Sequence, residues 1–207
     1  MINIKFILIG FAIMSTFAYC AFKAPEFCKG LECPEYELIS SLTSNIETRQ
    51  YKKSSWVSTQ MKNGSLDSLK SKGFRTLFNY ISGKNANKEK IEMSAPVLTK
   101  MNSNMAFSDN DLIGTMSFYL GYRYEDEAAP QPEDSNAFLS VLEPKKYAVI
   151  SYGGFSNQKD LEENLRILGT YLEQNNIKIV KDYYFYAGYD SPFRLFGRHN
   201  EVWIELI

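Results

Sequence analysis

Two periodicities run along the chain, and the switches between them mark its elements. Ile46–Tyr51 and Ser54–Met61 read as strands joined by Lys52-Lys53. Asn63-Gly64 supplies a turn, and Ser65 is positioned to cap a helix running to about Ser82, with Asp67 in its first turn. A polar loop from Gly83 to Lys90 follows. Ile91–Met101 then alternates, with Ile91, Met93, Ala95 and Val97 on one face and Glu92, Ser94 and Lys100 on the other. Pro96, which has no amide donor, demotes that strand to an edge or a bulge. Leu112–Leu120 alternates in the same way.

Between Tyr122 and Ala137 lie five acidic residues with Pro130 and Pro132, which predicts a solvated linker. Beyond it the order recurs. Phe138–Glu143 and Lys146–Tyr152 are strands, Gly153-Gly154 is a turn and Asn157–Gln174 is a helix. Ile179–Ala187 and Val202–Ile207 are strands again. The plan is strand–strand–helix–strand–strand, written twice. Neither half can bury both faces alone, so one α+β domain is expected. Its architecture is a distorted, mainly antiparallel β-barrel of about eight strands flanked by two helices.

On a wheel of about 100° per residue the second helix carries a narrow stripe of Leu161, Leu165, Leu168 and Leu172, as a helix lying on a sheet should. The first helix has a comparable stripe of Leu66, Leu69, Gly73, Leu77, Tyr80 and Ile81. Phe74 and Phe78 fall outside it, on a shoulder beside Ser71 and Arg75. Two phenylalanines one turn apart beyond the core stripe need a second surface. Either a loop or the amino-terminal leader covers them, or they wall a groove for a flat apolar ligand.

Composition narrows the chemistry. In 207 residues, 23 Lys and Arg stand against 24 Asp and Glu, a balance that argues against nucleic acid as the main partner. Aromatic residues make up 14% of the chain, which suits β-structure and a roomy apolar interior. One histidine (His199) and three cysteines, all before residue 34, leave little for catalysis. No Gly-x-Ser-x-Gly elbow or phosphate-binding loop occurs, and zinc would lack ligands. No enzymatic activity is expected, and the chain is expected as a monomer.

The amino terminus reads as a targeting segment. Lys5 precedes an uncharged apolar run, and Ala18-Tyr19-Cys20 has the shape of a signal-peptidase site. A membrane anchor is the rival reading. Secretion with removal of residues 1–20 leaves a cysteine-containing leader, 21–34, ahead of a domain spanning 35–207. Cys28 and Cys33 can then form a short-loop disulfide in an oxidising compartment. Asn63-Gly64-Ser65 is an N-glycosylation sequon, in keeping with export.

Several stretches together resemble the SOUL heme-binding protein family. They are Ile46-Glu47-Thr48-Arg49-Gln50-Tyr51, Ile91-Glu92-Met93-Ser94-Ala95-Pro96-Val97, Ala187-Gly188-Tyr189-Asp190-Ser191-Pro192 and Gly197-Arg198-His199-Asn200-Glu201-Val202-Trp203. The resemblance implies a pseudo-twofold barrel with two helices. It also implies non-covalent binding of heme or another tetrapyrrole in a groove at the first helix, without turnover. A porphyrin needs apolar walls and one or two cations for its propionates. Phe74 and Phe78 can supply the wall, and Arg75 lies on the same helix. Arg194 stands where the family has a basic residue implicated in propionate binding, and Ser71 replaces the family's other helix cation. Gln50 occupies the position at which some members have a histidine proposed as axial ligand, so that role does not transfer. His199 and Met93 are weaker axial candidates, the first also readable as a surface histidine and the second as core. The same groove could instead hold an amphipathic helix of a protein partner, or small amphipathic molecules generally.

Overall fold

The computed structural model describes residues 22–62, 66–102 and 114–207. The expected signal peptide, Ser65 and the Asn63 sequon lie outside the described residues.

Nine strands form one curled antiparallel sheet in the order β1-β2-β7-β9-β8-β4-β5-β3-β6. They are β1 (Tyr36–Ser41), β2 (Ile46–Tyr51), β3 (Ser54–Met61), β4 (Val97–Asn102), β5 (Gly114–Tyr119), β6 (Ala137–Leu142), β7 (Lys145–Tyr152), β8 (Tyr183–Gly188) and β9 (Asn200–Glu205). The helices are α1 (Leu66–Ile81), a single turn α2 (Arg123–Asp126) and α3 (Gln158–Gln174). The repeat legible in the sequence is therefore β2-β3-α1-β4-β5 followed by β6-β7-α3-β8-β9. Its two copies exchange strands, because β2 pairs with β7 of the other copy and β3 with β6. The β4–β8 ladder, with Leu98 opposite Ala187, joins the halves at the middle of the sheet. Each half thus completes the other's sheet, which is why neither could bury its surfaces alone.

Helices α1 and α3 cover one face. Leu69, Leu77, Tyr80 and Ile81 of α1 and Leu161, Leu168 and Leu172 of α3 are buried there, as the wheel predicts. Gly73 permits close approach to β5: a Cβ at that position would lie 3.3 Å from Met116 Sδ. The Asn157 side chain accepts from the Asp160 amide while Asp160 accepts from the Asn157 amide, so α3 begins with a reciprocal cap. The concave face holds a second, aromatic core that includes Tyr51, Trp56, Tyr119, Tyr147, Phe185 and Trp203. Cys28 and Cys33, joined as a disulfide, close one end of this core.

Three expectations need correction. The strand expected from Ile91 begins only at Val97, because the chain cannot ladder through Pro96, whose peptide with Ala95 is cis. The strand expected from Ile179 starts at Tyr183, with a lone bridge from Ile179 to Leu206 left ahead of it. The acidic stretch 122–137 is more than a solvated linker: α2 lies within it, Tyr124 is buried and the Tyr80 hydroxyl donates to the Pro130 carbonyl at 2.8 Å. Strand β1, on the sheet's edge, has no counterpart in the sequence reading; its adjacent Leu38 and Ile39 are both exposed, so no alternating apolar stripe marks it.

The disulfide closes a short loop, so its cross-link should contribute about 2 kcal/mol by restricting the unfolded chain. Replacing both cysteines by serine should lower the denaturation midpoint accordingly. Dithiothreitol should destabilise the parent by the same amount and leave the variant unchanged; an equal effect on both would remove the disulfide from the account.

Candidate functional site

A groove of about 390 Å³ lies between α1 and the segment that follows β8. Phe74 and Phe78 of α1 form one wall, Gly188 to Phe193 the other, and Met93 with Leu31 of the leader closes the ends. The two phenylalanine rings stack 5.9 Å apart at an interplanar angle of 14°, and Phe74 meets the edge of Phe118 at 5.1 Å. They keep 37% and 48% exposure, so the chain's own residues cover them only in part. The leader nevertheless shapes the site. Lys29 forms an ion pair with Asp190 and donates to the Gly197 carbonyl at 2.8 Å, tethering the far wall. Burial pushes the Asp190 carboxyl up, but Lys29 and the His199 amide more than offset this and hold it below the usual range. Phe193 at the groove's rim, and Leu195 and Phe196 beyond it, stand in solvent.

Behind this wall the concave core contains a charged network. Glu201 is fully buried; it forms an ion pair with Arg49 Nη1 at 3.0 Å and accepts from the Tyr189 hydroxyl at 2.7 Å and from Trp203 Nε1 at 2.7 Å, and His199 Nε2 is 2.8 Å away. Arg49 in turn reaches Glu47 at 2.8 Å and the Tyr51 hydroxyl at 3.1 Å, with its guanidinium 4.5 Å from the centre of the Tyr36 ring. Burial alone would raise the Glu201 carboxyl; Arg49 and the bonds from His199 and Tyr189 prevail and lower it to about 2. His199 stacks on Phe27 with centroids 4.2 Å apart.

The model of the family described as SOUL heme-binding protein matches residues 31–205. The chain belongs to the SOUL heme-binding family. Heme-binding protein 2 of Mus musculus is 33% identical over 85% of this chain and 86% of its own length. Heme-binding protein 2 of Homo sapiens is 33% identical over 77% of each. Among solved structures, the EcmrR C-terminal domain superposes with a TM-score of 0.56 over 83% of this chain and 98% of its own, at 8% identity, a likeness of fold alone.

The SOUL motifs divide between the two places. Gly188-Tyr189-Asp190-x-Pro192 and Met93-Ser94 line the groove, whereas Glu47-x-Arg49-x-Tyr51 and His199-x-Glu201-x-Trp203 build the buried network. Of the expected site residues, Phe74, Phe78 and Met93 come together in the groove. Ser71 and Arg75 are exposed on α1 and do not line it. Arg194 lies next to the lining residue Phe193, but its Nε is 3.4 Å from Asp190 Oδ1 and donates to the Phe196 carbonyl. His199 is not a surface histidine: Phe27, Tyr189 and Glu201 hold it away from the groove lining. Gln50 is likewise absent from the lining, its amide donating to the Tyr51 carbonyl at 3.2 Å. Leu31, Pro192 and Phe193 join the lining without a sequence signal that marks them as site residues. The Asp190 tether to Lys29 lies 161 residues away in sequence and left no local signal.

Proposed function

We propose that this protein binds heme or a related tetrapyrrole non-covalently in the α1 groove, as an exported carrier without catalytic turnover. The observation that carries this reading is the pair of stacked, half-exposed phenylalanines facing Pro192 and Phe193 across an apolar slot. A porphyrin disc can enter such a slot edgewise and leave its propionates at the rim, within range of Arg194. The names of the relatives point to the same ligand class. For iron, Met93 is the donor among the expected candidates that lines the groove, and a thioether is a modest ligand. The walls therefore supply most of the affinity. The non-catalytic reading rests on His199, whose ring is stacked and hydrogen-bonded into the core. Export rests on the apolar amino terminus and on the Cys28–Cys33 disulfide, which suits an oxidising compartment.

Titration of the mature protein with hemin and with metal-free protoporphyrin tests the reading. Both should bind saturably at one site with similar affinity, and Arg194→Glu should weaken both severalfold by repelling the propionates. A six-coordinate bis-histidine spectrum would contradict it, since the chain has one histidine. The exposure of Phe193 and Phe196, at 89% and 84%, favours a second reading in which an amphipathic helix of a partner docks there. Non-stoichiometric hemin titration together with competition by an apolar helical peptide would support that one instead.

A further inference from the structure

A second cavity, of about 380 Å³, lies on the concave face of the sheet, the side turned away from α1 and α3. Six strands contribute to it, five of them through alternate residues. Trp56 and Leu98 belong to its floor with Tyr147 and Phe185, all members of the aromatic core, while Phe138 and Val141 of the edge strand β6 form an exposed lip. None of the residues that line the α1 groove lines this cavity.

Its polar groups are unevenly distributed. Lys100 and Lys145 both line it. Lys145 is held by Glu205, at 2.7 and 2.9 Å, and Glu205 also accepts from the Tyr183 hydroxyl. Lys100 has no such carboxylate: its ammonium sits 3.7 Å from the centre of the Tyr183 ring, and among the described residues no acid forms an ion pair with it. Burial, and then the neighbouring Lys145 charge, pull Lys100 below the ordinary lysine value against a smaller opposing pull from Glu205. A cation already partly stripped of water gains more from an incoming anion than a solvated one does. Tyr147, wholly buried in the floor, has a hydroxyl without a hydrogen-bond partner among the described residues, although a phenol in a low-dielectric interior ordinarily finds one. Glu143, on the exposed lip, is the acid among the lining residues.

We propose that this concave cavity is a second, independent ligand site, taking a small planar aromatic carboxylate whose ring lies against Phe138, Leu142 and Tyr183 above the Trp56–Tyr147–Phe185 floor and whose carboxylate meets Lys100. The volume holds one or two fused rings, and Phe138 and Tyr183 offer them stacked or edge contacts. The two cavities are of similar volume, so the occupant is distinguished from a tetrapyrrole by its location and by the single carboxylate that Lys100 would meet.

Naphthalene-2-carboxylate is a suitable probe, titrated into the full chain and followed through tryptophan fluorescence, with Trp56 in the floor as reporter. One saturable site is expected, and methyl naphthalene-2-carboxylate, which has no charge, should bind at least tenfold more weakly. Lys100→Gln should abolish that difference by weakening the acid alone. Val141→Glu, at a position half-exposed on an edge strand and so tolerant in folding, should weaken the acid by charge repulsion. Phe78→Ala should leave both probes unaffected. Absence of saturable binding, equal affinity for acid and ester, or loss of binding in Phe78→Ala would each overturn the proposal, the last by moving the probe to the α1 groove.

Discussion

Truncating Glu201 to alanine should cost about 3–5 kcal/mol, the range for removing one partner of a buried ion pair. For a domain of this size that corresponds to a fall in the thermal midpoint of roughly 10 °C or more. The cost has two parts. Arg49, 2% exposed, keeps Glu47 but loses its fully buried counter-charge. Tyr189 and Trp203 each lose the acceptor of a buried donor. Arg49→Met should be milder, because it leaves Glu201 with its bonds to Tyr189, Trp203 and His199 and puts an apolar chain among aromatic rings. Combining the two changes should cost less than their sum, since the second no longer strands a charge, yet it should not restore the parent because the phenol and indole donors remain unserved. Chemical denaturation of the four proteins measures all of this. An Arg49→Met variant less stable than Glu201→Ala would reverse the assignment of Glu201 as the hub.

The same group sets an acid limit. The Glu201 carboxyl lies at about 2 in the folded chain, against an ordinary value of 4.5. The unfolded chain therefore binds the proton more tightly. The stabilisation, on the order of 3 kcal/mol, is fully present above pH 4.5 and is lost as pH falls toward 2. The parent's denaturation midpoint should drop over that window, and the drop should be smaller in Glu201→Ala.

How legible this network was shows what a single sequence can yield. β2 was legible as a strand, and Glu47, Arg49 and Tyr51 share one face of it by parity. So do His199, Glu201 and Trp203 at β9. What parity cannot say is that these two faces meet: β2 and β9 flank β7, a neighbour relation that follows from the exchange of strands between repeats. The repeat itself was visible because each half is written with the same periodicities, whereas the exchange depends on ladder partners far apart in sequence. The groove divided in the same way. Phe74 and Phe78 could be picked out because helical geometry is local, and their displacement from the stripe is read from spacing alone. The cations expected beside them were inferred from position on the helix or from resemblance. Arg75 points away from the lining and Arg194 is engaged by Asp190, whose own place depends on a lysine from the leader.

If the phenylalanine wall rather than iron ligation supplies most of the tetrapyrrole affinity, Phe74→Ala/Phe78→Ala should reduce binding of hemin and protoporphyrin alike, by roughly a hundredfold. Burying a whole phenylalanine is worth about 1.5–3 kcal/mol. Each ring is already more than half covered in the free protein, so a disc laid on them would gain about 1 kcal/mol from each. Aromatic contact adds about 1 kcal/mol more, and the sum near 3 kcal/mol corresponds to two orders of magnitude in Kd. Folding should suffer less than binding. Phe78 is the more exposed ring and its truncation alone should scarcely move the midpoint, while Phe74 contributes its edge contact with Phe118 to the core. Replacing both by leucine separates shape from aromaticity: most of the buried area returns and stacking does not, so affinity should recover only in part. Retention of hemin affinity within threefold by the double alanine variant, with protoporphyrin binding lost, would mean that iron ligation holds the pigment after all. Met93 would then be the first residue to replace, since it already borders the slot.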